Sequence, residues 1–175
     1  MTLISNTYGK ARVRVLRVYR DGDQHEVREA IVKVMLEGDF AKAFTGPDNS
    51  TTVATDTVKN VVNMTARDSL KLDNEPFGIA IAKKFLDRYK QVERVRVEIV
   101  EAQWQRLSFG GHSHGHSFTK NGNGNPVARI RATRDTVEID SGIKDFTFMK
   151  STGSGWANYV IDDWTTLAET NLTVS

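Results

Sequence analysis

The sequence predicts an α+β domain in which an antiparallel four-stranded sheet carries two antiparallel helices on one face. Two observations lead to this fold class. Polar and apolar residues alternate in two separate regions of the chain, as they do in strand pairs. Between these regions, apolar residues recur at the spacing of amphipathic helices. The order is therefore strand, strand, helix, helix, strand, strand, and a short extra strand is expected to follow.

The first pair of strands is predicted over residues 11–20 and 25–37. Arginine alternates with valine over residues 12–15, which is the period of a half-buried strand. The alternation shifts at Leu16, and this shift predicts a β-bulge or a change of face at that residue. The sequence Asp-Gly-Asp at residues 21–23 is typical of a tight turn and would join the two strands.

Two amphipathic helices are predicted next. Residues 55–57, Thr-Asp-Thr, have the side-chain chemistry of a helix N-cap. A break at Asp73 and Asn74 separates the first helix from the second. The apolar faces are expected to be Val58, Val61, Val62 and Thr65 in the first helix, and Phe77, Ile81, Phe85 and Tyr89 in the second.

The second pair of strands follows the helices. Charged and β-branched residues alternate over residues 94–99, which predicts the third strand. The stretch 121–125, rich in glycine and asparagine, is expected to turn the chain into a fourth strand over residues 127–139. The extra strand is predicted over residues 143–150.

Composition excludes several classes of function. The chain has 175 residues, about the size of one domain. It contains no cysteine, which rules out disulfides, thiolate metal ligands and thiol nucleophiles. The net charge of +2 does not favour nucleic acid as a partner. No apolar run reaches the roughly 20 residues of a membrane helix, and no signal-peptide core is found, so no membrane partner is expected.

Three segments of the chain carry a specific resemblance. Residues 146–167 read Phe-Thr-Phe-Met-Lys-Ser-Thr-Gly-Ser-Gly-Trp-Ala-Asn-Tyr-Val-Ile-Asp-Asp-Trp-Thr-Thr-Leu. Residues 8–10 read Tyr-Gly-Lys, and residues 53–60 read Val-Ala-Thr-Asp-Thr-Val-Lys-Asn. In this order and at this spacing the three segments resemble the urate oxidase (uricase) family, and the resemblance extends over nearly the whole chain.

The resemblance implies a fold, a reaction and an assembly. The fold is the tunnelling fold (T-fold), whose sheets join edge to edge across subunits; open sheet edges are prone to association in any case. The reaction converts urate, O₂ and water to 5-hydroxyisourate and H₂O₂, with molecular oxygen as co-substrate and no metal or organic cofactor. The assembly is a homo-oligomer, expected to be a tetramer, or a hetero-assembly with a carboxy-terminal uricase half.

The resemblance also implies roles for four residues. Lys10 and Thr55 correspond to the family's catalytic proton relay. Thr55 and Asp56 would bind the purine edge at a helix amino terminus, where free N–H groups and the helix dipole favour anions. Trp156 occupies the position at which uricases carry a phenylalanine that stacks on the substrate, and an indole ring offers a similar π face.

The end of the sequence departs from the family. Thr173 stands where the family has an arginine that contacts urate, and a threonine cannot copy a bidentate contact. We expect residues 1–142 to form a single T-fold domain. Residues 143–175 would hold the extra strand and the aromatic-Thr-Thr-Leu segment, leading toward a second domain that this sequence lacks. Full activity would then need that domain or a partner chain.

A histidine cluster suggests a competing function. His112, His114 and His116 alternate along the chain, so on a strand they would share one face and could surround a zinc ion. The His114-Gly115-His116 string resembles the zinc motif of the pterin synthases, which share the T-fold. Those enzymes take a further histidine from an earlier strand, for which His25 is the remaining histidine here, and many use a catalytic cysteine. Uricases also carry a His-x-His stretch at this place, so no metal is the main expectation.

Two alternatives to a urate oxidase therefore stay open: a non-catalytic, purine-binding or structural T-fold oligomer, and a zinc-dependent enzyme similar to the pterin synthases. The closing residues Thr-Val-Ser differ from a peroxisomal Ser-Lys-Leu signal. A bacterial cytoplasmic location is expected.

Overall fold

Strands and helices follow one another along residues 3–120 and 122–170, the part of the chain that this computed structural model describes. They are β1 (Tyr8–Tyr19), β2 (Glu26–Gly38), α1 (Ala41–Thr45), α2 (Thr55–Ser69), α3 (Asn74–Arg88), β3 (Val92–Ala102), β4 (Trp104–Phe109), β5 (His112–Lys120), β6 (Asn125–Ala132) and β7 (Val137–Lys144). Five strands form one antiparallel sheet in the order β1-β2-β3-β6-β7, and β4 and β5 form a separate hairpin.

The hydrophobic core lies between this sheet and the helices α2 and α3. Alternate residues of β2 are fully buried and face the helices, as period-two patterning requires. Each large apolar side chain that is fully buried contributes roughly 1.5–3 kcal/mol. The helices supply Val58, Val62, Phe77, Ile81 and Phe85, and the sheet supplies Val32, Val34, Leu36, Val95, Ile99 and Ile130.

The opposite face of the sheet carries charged residues in rows of ion pairs. Glu37 of β2 binds Arg94 and Arg96 of β3 at 2.9 and 2.8 Å. Glu98 of β3 binds Arg129 of β6 at 2.9 Å. An antiparallel sheet can keep one face hydrated, and this uncovered face has the composition for it. Exposed pairs of this kind each contribute about 1 kcal/mol or less.

The predicted fold class and element order are confirmed, but the bounds of the last strands differ from the prediction. The strand expected over residues 127–139 ends at Ala132, because Thr133 N–H donates to Thr136 O at 2.9 Å and reverses the chain. The extra strand begins at Val137 rather than at residue 143 and pairs with β6. The stretch 145–150 contains no strand.

The bulge in β1 is real but lies nearer the amino terminus than predicted. Leu16 pairs regularly with Glu29, and the register shift falls between Lys10 and Val13. Leu16 breaks the polar–apolar alternation because it lies on the uncovered face, where it is 48% exposed. At the true bulge Arg12 adopts a left-handed backbone with φ of 57°.

Three local features also differ from the prediction. The hairpin of β4 and β5 and the short helix α1 were not anticipated. The capping role expected of residues 55–57 is wrong, because Thr55 is already the first helical residue and Ala54 is the N-cap. No side-chain hydrogen bond closes that end of α2.

A buried carboxylate attaches the hairpin to the sheet. Glu29 of β2 is 1% exposed and lies on the face away from the helices. Its oxygens accept hydrogen bonds from Arg14 Nε and, at 3.0 Å, from Trp104 Nε1, while Lys120 Nζ lies 3.2 Å away. Burial alone would raise the pKa of Glu29, but the hydrogen bonds from Arg14, Lys120 and Trp104 together outweigh it and hold that pKa below its usual value.

Replacing this carboxylate is expected to destabilise the fold in a pH-dependent way. A lowered folded-state pKa means that the stabilisation is complete above the unfolded value, near pH 4.3, and is lost as pH falls through the folded pKa. Glu29→Gln should therefore cost about 2–4 kcal/mol at neutral pH, because it leaves Arg14 and Lys120 without their counter-charge. The difference from the unmutated chain should shrink in acid, measured by urea unfolding across pH.

The matched control is Glu26→Gln, since Glu26 is an exposed carboxylate on the same strand. It should change the free energy of unfolding by about 0.5 kcal/mol or less. An equal loss in both variants, or a Glu29→Gln effect independent of pH, would contradict this assignment.

Candidate functional site

The β1 bulge determines which face of the sheet Lys10 occupies. Directly opposed residues of an antiparallel pair share a face. Val13 is opposed by Val32, and Lys10 by Val34, so three steps along β1 match two steps along β2. The extra residue places Lys10 on the helix side together with Val13. In a regular strand these two residues would point to opposite faces.

The amino terminus of α2 lies open on the same side. Its first helical hydrogen bond runs from Val58 N–H to Ala54 O at 3.0 Å. The N–H groups of Thr55, Asp56 and Thr57 precede that bond and have no hydrogen-bond partner within the described chain. Thr55 and Asp56 are exposed. Unpaired amides at the positive end of a 15-residue helix are an arrangement that favours negative charge.

Asp56 connects this helix end to Lys10 electrostatically. A hydrogen bond from Lys59 and its positive charge are the main causes that hold the pKa of the Asp56 carboxyl below its usual range. The Asn60 amide donates to the other carboxylate oxygen at 3.2 Å, and the charge of Lys10 acts in the same direction. The structure therefore brings three of the predicted site residues, Lys10, Thr55 and Asp56, to one end of α2.

Tyr8, which belongs to the Tyr-Gly-Lys segment at residues 8–10, is a further residue of this region for which the sequence predicted no role. The Tyr8 hydroxyl accepts a hydrogen bond from Val53 N–H at 2.7 Å and donates one to Val53 O at 3.1 Å. A tyrosine two residues before the candidate lysine, on the same strand, is the signal that could have found it. These bonds link β1 to the segment that leads into α2.

The family model described as Uricase matches residues 6–131. The chain belongs to the uricase family. It is 38% identical to the uricase of Cyberlindnera jadinii over 97% of this chain and 57% of that protein. The uricase of Dictyostelium discoideum is also 38% identical, over 97% of this chain and 60% of that protein.

Solved uricase structures share the fold. The crystal structure of uricase from Arthrobacter globiformis superposes with a TM-score of 0.82 at 35% identity, covering 97% of this chain and 57% of that one. The predicted T-fold and the predicted uricase resemblance are thereby confirmed. The chain spans a little more than half the length of these relatives.

Trp156 lies apart from the other site residues. It is 64% exposed, in a segment without helix or strand. Its backbone N–H and carbonyl are hydrogen-bonded to Thr170, both at 3.0 Å. The described chain thus links Trp156 to its own segment and not to β1 or α2. Thr173, the position of the family's arginine, lies outside the described residues.

The three clustered histidines do not share one regular strand face. Between Arg106 and Ser108 of β4, the single residue Leu107 faces the four residues 114–117 of β5, so the strict alternation that the prediction assumed is lost. The His116 ring contacts those of His114 and His25 at centroid distances of 5.4 and 5.0 Å. Within residues 3–120 and 122–170, no group of three or more His, Asp or Glu side chains could hold a metal ion.

Arg106 accounts for the shape of this irregular stretch. Its guanidinium donates to the carbonyls of His114 and Gly115 at 2.9 and 2.7 Å, and also to the carbonyl of His25. The Gly115 carbonyl also accepts a hydrogen bond from His25 N–H at 2.9 Å, so Arg106 and His25 together connect the widened part of the hairpin to the residue before β2. The histidine stretch has a structural explanation.

No helix in the described part of the chain combines the length and the apolar character required to cross a bilayer.

Replacing Arg12 with glycine is expected to stabilise the chain. Arg12 has φ of 57°, a conformation that is unfavourable for every residue with a Cβ atom and natural for glycine. Arg12→Gly should raise the free energy of unfolding by about 0.5–1.5 kcal/mol, measured by thermal or urea denaturation.

The control is Lys33→Gly, at an exposed position of β2 whose φ is not positive. Glycine there should lower the free energy of unfolding by about 0.5–1 kcal/mol, because it adds only backbone entropy to the unfolded chain. Two variants destabilised to the same extent would show that the bulge does not have this geometry.

Proposed function

We propose that this chain supplies the Lys10–Thr55 portion of a urate oxidase active site. The observation that carries the proposal is the juxtaposition of Lys10, turned to the helix face by the bulge, with the uncapped amino terminus of α2. The chain's membership of the uricase family supports it.

The proposed chemistry uses only the groups at this helix end. Urate is a planar anion at neutral pH, and the unpaired N–H groups of Thr55, Asp56 and Thr57 would receive its charged edge. Lys10 would take up a proton from urate through the Thr55 hydroxyl, which can accept one proton while it donates another. Urate, O₂ and H₂O then give 5-hydroxyisourate and H₂O₂, with both transferred electrons accepted by oxygen. O₂ is the co-substrate, and no metal or organic cofactor is proposed.

We propose further that the remaining groups of the site come from another chain or domain. The segment of residues 145–170 has no helix or strand, yet it exposes large apolar side chains. Among them, Trp164 is 87% and Met149 85% exposed. Apolar groups at this density mark a surface that another polypeptide covers.

Strand β7 adds to this argument. It is the last strand of the sheet, and each of its residues, Val137–Lys144, is exposed. An edge strand of this length invites pairing with a further strand. A homo-oligomer, in particular a tetramer, or an assembly with a carboxy-terminal uricase half would cover both surfaces. In such an assembly Trp156 of one subunit would stack on urate that is held by Lys10 and Thr55 of its neighbour.

One alternative, a non-catalytic T-fold oligomer that binds purines, has a specific observation in its favour. The unpaired amides of α2 that would bind an anion belong to this chain, while Trp156 is hydrogen-bonded to Thr170 and not to this helix end. Binding without turnover is the outcome that would distinguish this alternative.

Activity should depend on Lys10 and Thr55 and should appear fully only with a carboxy-terminal uricase half. Urate consumption by ultraviolet absorbance and H₂O₂ release are measured for this chain alone, then with a separately expressed carboxy-terminal uricase half. Lys10→Met and Thr55→Val should each lower kcat by about 10²- to 10⁴-fold, because each interrupts the proton transfer. Lys33→Met, on the uncovered face, should change kcat by less than about twofold.

Two further measurements make the result decisive. Native mass spectrometry reports whether the assembly forms, and equilibrium dialysis reports whether urate binds. An intact assembly with no turnover in either setting would refute the catalytic proposal. Urate binding that persists in that case would support the non-catalytic alternative.

A further inference from the structure

The Tyr8 hydroxyl satisfies both backbone polar groups of a buried residue in another segment. Val53 is 4% exposed and lies in the stretch 46–54, which contains no helix or strand. Its N–H donates to Tyr8 Oη at 2.7 Å, and its carbonyl accepts from the same oxygen at 3.1 Å. Buried backbone groups without partners are costly. The Tyr8 hydroxyl therefore provides both hydrogen bonds that the backbone of a neighbouring strand would otherwise provide to Val53.

The spacing on the two sides of this contact is the same. Lys10 follows Tyr8 by two residues, and Thr55 follows Val53 by two residues. Tyr8 opposes Leu36 as Lys10 opposes Val34, so Tyr8 and Lys10 share the helix face of β1. Two residues of extended chain span about 6–7 Å. A contact at Tyr8 and Val53 thus controls the separation of the next pair of side chains, Lys10 and Thr55.

We propose that Tyr8 is a positioning residue, which holds the amino terminus of α2 against β1 and thereby sets the distance between Lys10 and Thr55. The catalytic meaning of this inference rests on the urate oxidase function proposed above. The structural part of the inference, that Tyr8 holds this end of α2 against β1, does not depend on that function. Tyr8 acts through Lys10 and Thr55 and does not itself need to contact the substrate.

Packing around the Tyr8 ring fixes its orientation. The ring meets Phe40, which is fully buried, edge to face at a centroid distance of 4.8 Å and an angle of 87°. On the other side of the same loop, Gln91 Nε2 donates to Thr51 O at 2.8 Å. Burial raises the pKa of the Tyr8 hydroxyl above its usual value, so that hydroxyl keeps the proton that it donates to Val53 O.

The backbone beside Tyr8 is equally restricted. A Cβ atom on Gly9 would lie 1.9 Å from Val34 O, so glycine is required for β1 to approach β2 this closely. Tyr8 is consequently held by Phe40 on its ring and by β2 behind its backbone. A fixed hydroxyl on a fixed strand is what a positioning role requires.

The test compares Tyr8→Phe with Tyr19→Phe. Tyr19 ends the same strand, and its hydroxyl has no hydrogen-bond partner within the described chain. Phenylalanine keeps the ring packing and removes only the hydroxyl. Amide hydrogen exchange by NMR follows Val53 together with reference amides of α3, and mass spectrometry follows acylation of Lys10 relative to Lys33, which is exposed on β2. The full chain is used in each case.

In Tyr8→Phe, exchange at Val53 should accelerate about tenfold or more while the α3 amides change little, because only a local contact is lost. The Lys10 side chain, which is half-buried in the unmutated chain, should be acylated faster relative to Lys33. With the carboxy-terminal uricase half present, kcat should fall about tenfold or more with KM nearly constant, the signature of lost transition-state geometry. Tyr19→Phe should match the unmutated chain in every measurement.

Several outcomes would overturn the inference. Unchanged Val53 exchange and Lys10 acylation in Tyr8→Phe would show that the contact does not position this end of α2. A proportional rise in exchange at Val53 and in α3 would show a general loss of stability instead. Altered exchange with unchanged kcat in an active assembly would remove the catalytic role of the contact.

The structural inference can be tested even if the assembly is inactive or the Tyr8→Phe variant does not fold. If the unmutated chain and its assembly show no turnover, the urate oxidase proposal fails while exchange and acylation still decide the structural inference. If Tyr8→Phe does not fold, the structural inference is tested on the unmutated chain. There the Val53 amide should exchange about tenfold more slowly than the Ala54 amide, because Ala54 N–H has no hydrogen-bond partner within the described chain. Equal rates at these two neighbours would overturn it.

Discussion

The one extra residue in β1 is the constraint on which the rest of this site depends. Because side chains alternate along a strand, one inserted residue moves every side chain on its amino-terminal side to the opposite face of the sheet. Val13 and Val15 remain in the core after the bulge, and Tyr8 and Lys10 join them on the helix side before it. Without the bulge, those two polar side chains would lie among the ion pairs of the uncovered face and could not reach α2.

The two faces of the sheet consequently hold two separate polar systems. On the uncovered face, Arg14 lies after the bulge and binds the buried carboxylate of Glu29, which also receives Lys120 from the hairpin. On the helix face, Tyr8 and Lys10 lie before the bulge and meet the loop and helix around Thr55. A charged network that stabilises the fold thus lies on the sheet face opposite to the proposed site.

Structural elements with a long or specific sequence pattern are predicted correctly, whereas elements whose bounds depend on a few local contacts are not. The alternation in β1 to β3 and the periodicity of α2 and α3 extend over many residues, so they predict the fold class and order. A few local hydrogen bonds between Thr133 and Thr136 end β6, and no periodicity reveals them. The bulge was predicted at Leu16, which is wrong, because an exposed leucine and an inserted residue disturb the polar–apolar alternation in the same way. Motif resemblance named Lys10 and Thr55, but the two-way contact of Tyr8 with Val53 exists only in three dimensions.

In the proposed urate oxidase site, the arrangement around Asp56 keeps Lys10 out of a direct ion pair. A lysine locked into a direct ion pair is held in its charged form and makes a poor proton acceptor. Here the Asp56 carboxylate is engaged by Lys59 and Asn60, the next turn of its own helix. The Lys10 side chain has no hydrogen bond or ion pair within the described chain, and its charge lowers the pKa of Asp56 only slightly beside the contributions of Lys59 and Asn60. Lys59 thus offsets the negative charge of Asp56 from within α2. In the proposed mechanism, this leaves the Lys10 amine without a direct carboxylate partner, so that it can take up the proton passed on by the Thr55 hydroxyl.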